Sequence, residues 1–135
     1  MSETRLEAKI FPRVVLLNAL PLNAIPKDYF AILCKRTSIE AIADIVKHSM
    51  KVENYIRHES TVRLLSKLLN IELKPSAGLY TYRDFDVLAI ITLKKPQRGQ
   101  EVEVKEEDLD YYMCIVQDYF AISGVQKETE KKEGS

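Results

Sequence analysis

The sequence predicts a single small α/β domain built on a mixed β-sheet flanked by helices. Three observations support this prediction. Short apolar runs of strand length alternate along the chain with segments of helical periodicity, and two of those runs are separated by only a polar turn. A chain of 135 residues, 46% of them hydrophobic, is also long enough to bury one core without disulfides or metal ions.

Both ends of the sequence are polar. Residues 1–9 offer little to bury, and residues 125–135 are mostly Glu and Lys, a composition typical of solvated or disordered tails. We therefore expect the domain to occupy residues 10–124. No internal repeat of solenoid or propeller period is visible in that range, which favours one compact unit.

The first third of the domain predicts two strands and a helix. Residues 14–17 are a continuous apolar run that ends at Asn18, which indicates a buried strand opening into a proline-containing loop. Residues 29–34 are a second β-favouring run. Thr37 then offers the N-cap of a helix that is expected to end near Met50.

The middle of the domain predicts a strand, a helix and an antiparallel pair of strands. Residues 52–56 read as a short strand, Ser60 is a candidate N-cap for the second helix, and Asn70 is a plausible stop for it. Residues 79–82 alternate in polarity, and residues 87–93 are fully apolar. We expect these two segments to pair, with the second as a central strand.

The last part of the domain combines a basic loop with an ambiguous segment. Residues 94–100, KKPQRGQ, contain three cations, a proline and a glycine, which predicts an exposed loop and the one concentrated basic patch. Residues 106–122 fit a helix, whose first turn would be acidic, although residues 113–122 also fit a strand. Periodicity slightly favours the helix.

Charge and motifs exclude several classes of function. With 20 Lys and Arg against 20 Asp and Glu, the chain lacks the basicity needed to coat nucleic acid or bind duplex DNA, and no apolar run approaches the ~20 residues that span a bilayer. We expect a cytoplasmic protein, in which Cys34 and Cys114 are buried, reduced thiols. The cysteines, His48 and His58 have no metal-ligand spacing, and no GxxxxGK loop is present. We therefore predict neither a metal site nor a cofactor.

His58 is the residue whose position favours chemistry. It lies between a predicted strand and a predicted helix start, where backbone N–H groups bind phosphate and an imidazole can protonate an ester oxygen. On the residues alone, a surface or capping histidine is the simpler interpretation. His48, at the end of the first predicted helix, is placed for a favourable interaction with the helix dipole and receives no functional role.

Three motifs, taken in order, resemble a known family. They are VVLLNA with Asn18 and Ala19, YIRHESTVRLL with His58, and AIITLKKPQRGQEV. Over about residues 13–120 the sequence resembles the viral ring nucleases, type III anti-CRISPR proteins common in viruses of thermophilic archaea. The most specific piece is HEST followed by a leucine-rich helix.

The resemblance implies a fold and an activity. Family members are small α/β homodimers that bind cyclic tetra-adenylate, the second messenger of type III CRISPR systems, in a pocket across the dimer interface. They cleave it without metal to linear di-adenylate ending in a 2′,3′-cyclic phosphate, so that the CRISPR ancillary nucleases stay silent. In the implied C-terminal part, a short helix precedes a strand.

The resemblance also implies roles for individual residues. His58 would be the general acid that protonates the departing 5′-oxygen, and Lys95 would occupy the place of an arginine near the scissile phosphate. Together with the basic loop and the helix start, the predicted ligand contacts are Asn18, Ser60, Thr61, Lys94, Lys95 and Arg98.

The sequence departs from the family pattern near the implied site. Arg57 replaces a glycine before the histidine, Arg98 replaces a glutamate before the loop glycine, and Lys95 cannot reproduce the two-pronged hydrogen bonding of an arginine. These departures leave open an enzyme with slow turnover of cyclic tetra-adenylate. The alternatives to an enzyme are a non-catalytic sponge for cyclic oligoadenylate and a small dimeric interaction protein with no nucleotide site.

Overall fold

The computed structural model describes residues 10–76, 78–94 and 103–119. Its regular elements, in chain order, are β1 (Val14–Leu17), β2 (Ala31–Thr37), α1 (Ile39–Lys47), β3 (Val52–Asn54), α2 (Glu59–Leu69), β4 (Val87–Leu93) and β5 (Leu109–Gln117). Short 3₁₀ turns lie at Leu22–Ala24 and Glu106–Asp108. Residues 1–9 and 120–135 lie outside the described residues, so the predicted boundaries of the domain stay predictions.

The strands form one mixed sheet, which confirms the predicted fold class. Their order is β2-β5-β4-β1-β3. β1 pairs in parallel with both β3 and β4, while β5 pairs antiparallel with β4 and β2. Because β1, β3 and β4 run the same way, their carboxyl ends meet at one edge of the sheet.

The two faces of the sheet are covered differently. Both helices pack on one face, where their apolar stripes meet alternate residues of the central strands. The buried residues of this face include Leu16, Ile42, Val62, Leu65, Ala89 and Ile91. The opposite face is covered instead by residues from the loops on either side of the strands, among them Ile25, Tyr80 and Tyr82. Among the described residues, the helices therefore flank the sheet on one side.

Helix α1 begins one residue later than predicted and ends earlier. The Oγ of Ser38 accepts a hydrogen bond from the Ala41 N–H at 3.2 Å, so Ser38 and not Thr37 is the N-cap. Thr37 is the last residue of β2, where it pairs with Tyr111. The helix ends at Lys47, and Met50, near which it was expected to end, lies beyond it and is 72% exposed.

Helix α2 is capped by His58, not by Ser60. The His58 side chain accepts from the backbone of Thr61, and the helix runs Glu59–Leu69. The Ser60 Oγ instead accepts from the Val104 N–H at 2.8 Å, so this hydroxyl joins the helix to the segment before β5. Asn70 ends the helix as predicted, in the left-handed conformation with φ of 55°.

The predicted antiparallel pair of residues 79–82 with 87–93 does not form. Residues 87–93 are a central strand, as predicted, but their neighbours are β1 and β5. Residues 79–82 are not a strand, because Tyr82 bonds through its N–H to the carbonyl of Ala24 and Tyr80 bonds through its hydroxyl to Asp86. A polar turn between two apolar runs was therefore insufficient evidence for a hairpin.

The described part of the segment 106–122, residues 106–119, does not form the single helix that periodicity favoured. Glu106–Asp108 is a 3₁₀ turn, and Leu109–Gln117 is a strand between β4 and β2. A central strand buries side chains on both faces, so apolar residues occupy positions that also fit a helix. A short helical turn before a strand agrees with the expectation drawn from the family resemblance.

Cys34 and Cys114 are not the reduced thiols that the sequence predicted, and of the two only Cys114 is buried as predicted. They form a disulfide, and Cys34 is exposed because it lies on the edge strand β2. The two residues are directly opposite in the β2–β5 register, with Cα atoms 4.1 Å apart. The prediction failed because each cysteine was judged within its own apolar run, and their 80-residue separation gave no signal that the strands pair.

The two helices are too short to cross a membrane. Among the described residues, no helix is both long enough and apolar enough to span one.

Candidate functional site at the carboxyl edge of the sheet

The parallel strands bring three of the predicted site residues to one edge. Asn18 directly follows β1, Lys94 directly follows β4, and His58 ends the short segment that follows β3. Since neighbouring strands are about 4.8 Å apart, the ends of β3 and β4 lie about 10 Å apart on either side of β1. In open α/β sheets, ligands bind outside the carboxyl ends of the strands.

His58 combines exposure with a fixed orientation. Its Nδ1 lies 3.3 Å from the Thr61 N and 2.9 Å from the Thr61 Oγ1. To accept the amide hydrogen, Nδ1 must be unprotonated, so the neutral ring carries its hydrogen on Nε2. No described residue bonds to Nε2. The histidine is therefore a helix cap that presents an N–H to the solvent at the carboxyl edge.

Ser60 and Thr61, both predicted as ligand contacts, already have partners in the protein. The Thr61 side chain is buried and bonds to His58, while the Ser60 Oγ accepts from Val104. Their arrangement positions the helix start and the imidazole. The Ser60 hydroxyl, which accepts from Val104, keeps its own hydrogen for a further acceptor, so its predicted role as a ligand contact stays a prediction.

Of the basic residues predicted as ligand contacts, Lys94 lies among the described residues. Lys94 is exposed at the end of β4, and its backbone N–H bonds to the Asp108 carbonyl at 2.9 Å. Its ammonium group makes no ion pair within the described part of the chain. Lys95 and Arg98 lie outside the described residues.

A cavity of about 350 Å³ opens beside Asn18 at this edge. The residues that line it come from the ends of β1 and β3 and from the loop before β4: Leu17, Asn18, Tyr55, Arg57, Gly78, Leu79 and Tyr80. Arg57 is exposed and has no ion pair with another described residue. From the sequence, Arg57 was only a departure from a family pattern, and neither Tyr55 nor Tyr80 had a predicted role.

A buried ion cluster holds the tyrosines of the cavity. Arg13 donates to both carboxylate oxygens of Asp86, at 2.9 and 2.6 Å, and to Glu53 at 2.7 Å. The Tyr80 hydroxyl donates to Asp86 at 2.6 Å, and the Tyr55 hydroxyl donates to Glu53 at 2.8 Å. Both rings are thus fixed by their hydroxyl ends, because buried polar groups need their hydrogen bonds.

Glu53 keeps its charge within the cluster. Hydrogen bonds from Lys51 and from Tyr55, together with the charge of Arg13, lower the pKa of Glu53 from 4.5 to about 2 against the effect of burial. Burial, then the hydrogen bond to Asp86, raises the pKa of Tyr80 well above its usual range. Glu53 therefore stays ionised and bound to its partners, which makes it a structural group and not a general base.

Comparisons with known proteins agree with this architecture. The family model described as STIV B116-like matches residues 14–117. The chain belongs to the STIV B116-like family. A search of curated proteins found no match.

Among solved structures, this STIV B116-like chain is similar to B116 of Sulfolobus turreted icosahedral virus. The match has a TM-score of 0.61 and 17% sequence identity, and it covers 76% of this chain and 97% of that chain. The likeness establishes the shared fold of a five-stranded mixed sheet with two helices.

The ion cluster of this STIV B116-like protein has a signal in the sequence that the analysis missed. Arg13 directly precedes β1 and Asp86 directly precedes β4. The parallel register places Val14 opposite Val87, so the two preceding charges also become neighbours. Opposite charges immediately before two buried parallel strands therefore predict a pair at the strands' amino ends.

Proposed function

We propose that this protein is a metal-independent ring nuclease that binds cyclic tetra-adenylate and cleaves it to linear di-adenylate with a 2′,3′-cyclic phosphate. Its role would be to suppress type III CRISPR ancillary nucleases, as an anti-CRISPR protein of an archaeal virus. The observation that supports the proposal is the placement of His58. It is exposed at a helix start, oriented by Thr61, and lies on the edge that also carries Asn18 and Lys94.

The chemistry needs one proton donor at the leaving group. The ribose 2′-oxygen attacks the adjacent phosphorus and loses its proton to solvent, while the bond from phosphorus to the 5′-oxygen breaks. The protonated His58 delivers a proton from Nε2 to that departing oxygen. In this state Nδ1 also carries a hydrogen and donates it to the Thr61 Oγ1, which frees the Thr61 N–H for a phosphate oxygen at the helix start.

A homodimer accounts for the proposed products. One cut opens a cyclic tetranucleotide to a linear one, whereas two cuts at opposite phosphates give two di-adenylates. A two-fold dimer supplies two copies of His58 to a ligand that can itself be two-fold symmetric. The proposal therefore includes two chains for each ring.

A non-catalytic sponge for cyclic oligoadenylate is the second candidate. The hydrogen bond from the Thr61 N–H requires the Nδ1 of His58 to act as an acceptor, which is the neutral form of the ring. Neutral imidazole cannot act as the acid in this reaction. If the hydrogen bond from the Thr61 N–H to His58 persists when cyclic tetra-adenylate is bound, the protein holds the messenger without cutting it.

The deciding experiment is incubation of the dimer with labelled cyclic tetra-adenylate in EDTA, with chromatographic separation of the products. His58→Asn is the informative variant, because asparagine is a good N-cap that cannot transfer the proton. His48→Asn is its control, since His48 lies at the other end of the helical layer, at the C-cap of α1.

Conversion to di-adenylate by the wild type and by His48→Asn, but not by His58→Asn, is the expected result. An uncut ring that co-elutes with the protein supports the sponge. An uncut ring that does not bind contradicts both candidates and leaves the small dimeric interaction protein.

A further inference from the structure

Arg57, which directly precedes the candidate catalytic histidine in the chain, lines one cavity together with the paired rings of Tyr55 and Tyr80. We propose that this cavity is a nucleotide subsite, in which Arg57 binds a phosphate, the Tyr55 ring stacks on an adenine base, and Asn18 reads that base. The inference rests on the proposed function and assigns to Arg57 a ligand-binding role that a glycine at this position cannot perform.

The charge of Arg57 is available to a ligand. The side chain is exposed, it lines the cavity, and no described carboxylate pairs with it, although Glu59 is two residues away. Its neighbour His58 turns its ring toward Thr61 instead. A guanidinium binds phosphate through paired N–H groups, so Arg57 is suited to a phosphate next to the scissile one, whose departing 5′-oxygen His58 protonates.

Tyr55 is the ring of the aromatic wall that can stack on a base, because Tyr80 is buried and the Arg13 guanidinium lies 5.5 Å from its ring centroid. The rings of Tyr55 and Tyr80 have centroids 5.3 Å apart and planes inclined by 59°. Their hydroxyls are bound to Glu53 and Asp86, as described above, so the rings lose little further freedom when a base arrives. Every nucleic-acid base has a π-face that stacks on such a ring.

Asn18 gives the subsite a preference for adenine. Its side-chain amide makes no hydrogen bond to another described residue, and it lines the same cavity as the rings. An amide pairs with adenine through two hydrogen bonds, one from N6 and one to N7. Uracil and cytosine do not present this donor and acceptor pair on that edge.

The volume limits what the cavity can hold. At about 350 Å³ it lies near the lower end of the roughly 300–1,000 Å³ of small-molecule sites. One nucleotide fits that size and a whole cyclic tetranucleotide does not. The remaining nucleotides of the ring must therefore lie outside this cavity, on the edge of the sheet and on the second chain.

The test measures binding of a cyclic tetra-adenylate analogue that cannot be cleaved. Cyclic tetra-adenylate with 2′-deoxyriboses lacks the attacking hydroxyl, and calorimetric titration then reports the dissociation constant of the intact dimer. The variants are Arg57→Ala, Arg57→Lys and Tyr55→Leu. Arg83→Ala is the matched control, because Arg83 is an exposed arginine just before the amino end of β4, on the edge opposite the cavity.

Arg57→Ala is expected to weaken binding about ten-fold or more, Arg57→Lys less, and Arg83→Ala hardly at all. Tyr55→Leu is expected to weaken binding by about 5- to 150-fold, the loss of one stacked base. Tyr55→Phe keeps the ring while removing the hydroxyl, so it should bind more tightly than Tyr55→Leu and separates stacking from folding. Melting curves confirm that each variant is folded.

The two levels of the proposal fail in different ways. If the wild type binds the ring and Arg57→Ala binds it as tightly as Arg83→Ala does, the subsite is wrong while the proposed function stands. If the wild type does not bind the ring, the proposed function is itself wrong and the subsite is wrong with it.

Discussion

His58 performs a structural task that any catalytic role must share. Its Nδ1 caps helix α2 through the Thr61 N–H, so removal of the ring affects stability as well as chemistry. His58→Ala is expected to lower the free energy of unfolding by about 1 kcal/mol, the usual cost of losing an N-cap. His58→Asn is expected to stay within a few tenths of a kcal/mol of the wild type, because asparagine caps well.

Urea denaturation of the three proteins checks this prediction. If His58→Asn is as unstable as His58→Ala, the ring contributes packing beyond the cap, and loss of activity in either variant no longer isolates the proton transfer.

Glu53 links the ion cluster to pH. Its pKa is about 2 in the folded protein and about 4.5 in an unfolded chain. Between these values the unfolded state binds more protons, so the contribution of Glu53 is fully present above about pH 5 and is lost as the pH falls toward 2. We expect Glu53→Gln to destabilise the protein by about 1–3 kcal/mol at pH 7 and by much less at pH 2.5.

Denaturation series at several pH values measure the difference between variant and wild type. Glu72→Gln serves as the control, since Glu72 is an exposed carboxylate without an ion pair to another described residue. A difference for Glu53→Gln that stays constant from pH 7 to pH 2.5 would contradict the linkage to Lys51, Tyr55 and Arg13.

At the scale of elements, the edge strand β2 depends on one partner. Within the described part of the chain β5 is its only neighbour in the sheet, and the Cys34–Cys114 disulfide joins the two strands across a separation of 80 residues. Closing a loop of that length restricts the unfolded chain by roughly 4–5 kcal/mol in the chain-entropy description. Reduction is therefore expected to lower the free energy of unfolding by several kcal/mol.

Denaturation with and without dithiothreitol measures this effect. The Cys34→Ser variant is the control, because its free energy of unfolding is expected to match that of the reduced wild type and not to change with dithiothreitol. Equal stability of the oxidised and reduced wild type would show that the disulfide does not stabilise the fold.

The elements that the sequence predicted well are those with one dominant signal. The apolar runs of β1 and β4 and the stripe of α1 follow from local patterns. The segment of β5 was misread because burial on both faces of a central strand removes the alternation that identifies a strand. Tertiary pairing decided between helix and strand, and no local pattern contains that information.

Some residues of the candidate site could be predicted from local patterns and others could not. His58 and Asn18 were found because they follow apolar runs in a recognisable motif. Tyr55 and Tyr80 were not found, since they are 25 positions apart and meet only through the ion cluster of Arg13. Ser60 and Thr61 were correctly placed at the helix start, but their hydroxyls serve the protein's own structure.

At the scale of the whole molecule, the topology gathers the starts of both described helices at one edge of the sheet, which also carries the acidic turn Glu106–Asp108. Helix α2 starts at the carboxyl side of β3. Helix α1 starts after the end of β2, which pairs with the beginning of β5. The beginning of β5 in turn pairs with the end of β4. Both helix N-termini, with their unpaired N–H groups, therefore lie on the edge that carries Asn18 and Lys94. A chain without general basicity can thus present a local site for a cyclic ligand with four phosphates.

A ligand that binds this edge must stabilise the folded protein, since it has no site on the unfolded chain. At a hundred times its dissociation constant, cyclic tetra-adenylate is expected to add about 2.7 kcal/mol to the free energy of unfolding and to raise the melting temperature. Cyclic tetra-uridylate has the same charge without adenine, so it is expected to produce a smaller rise. Equal shifts for both rings would mean that charge alone is recognised, and no shift for either would favour the interaction protein without a nucleotide site.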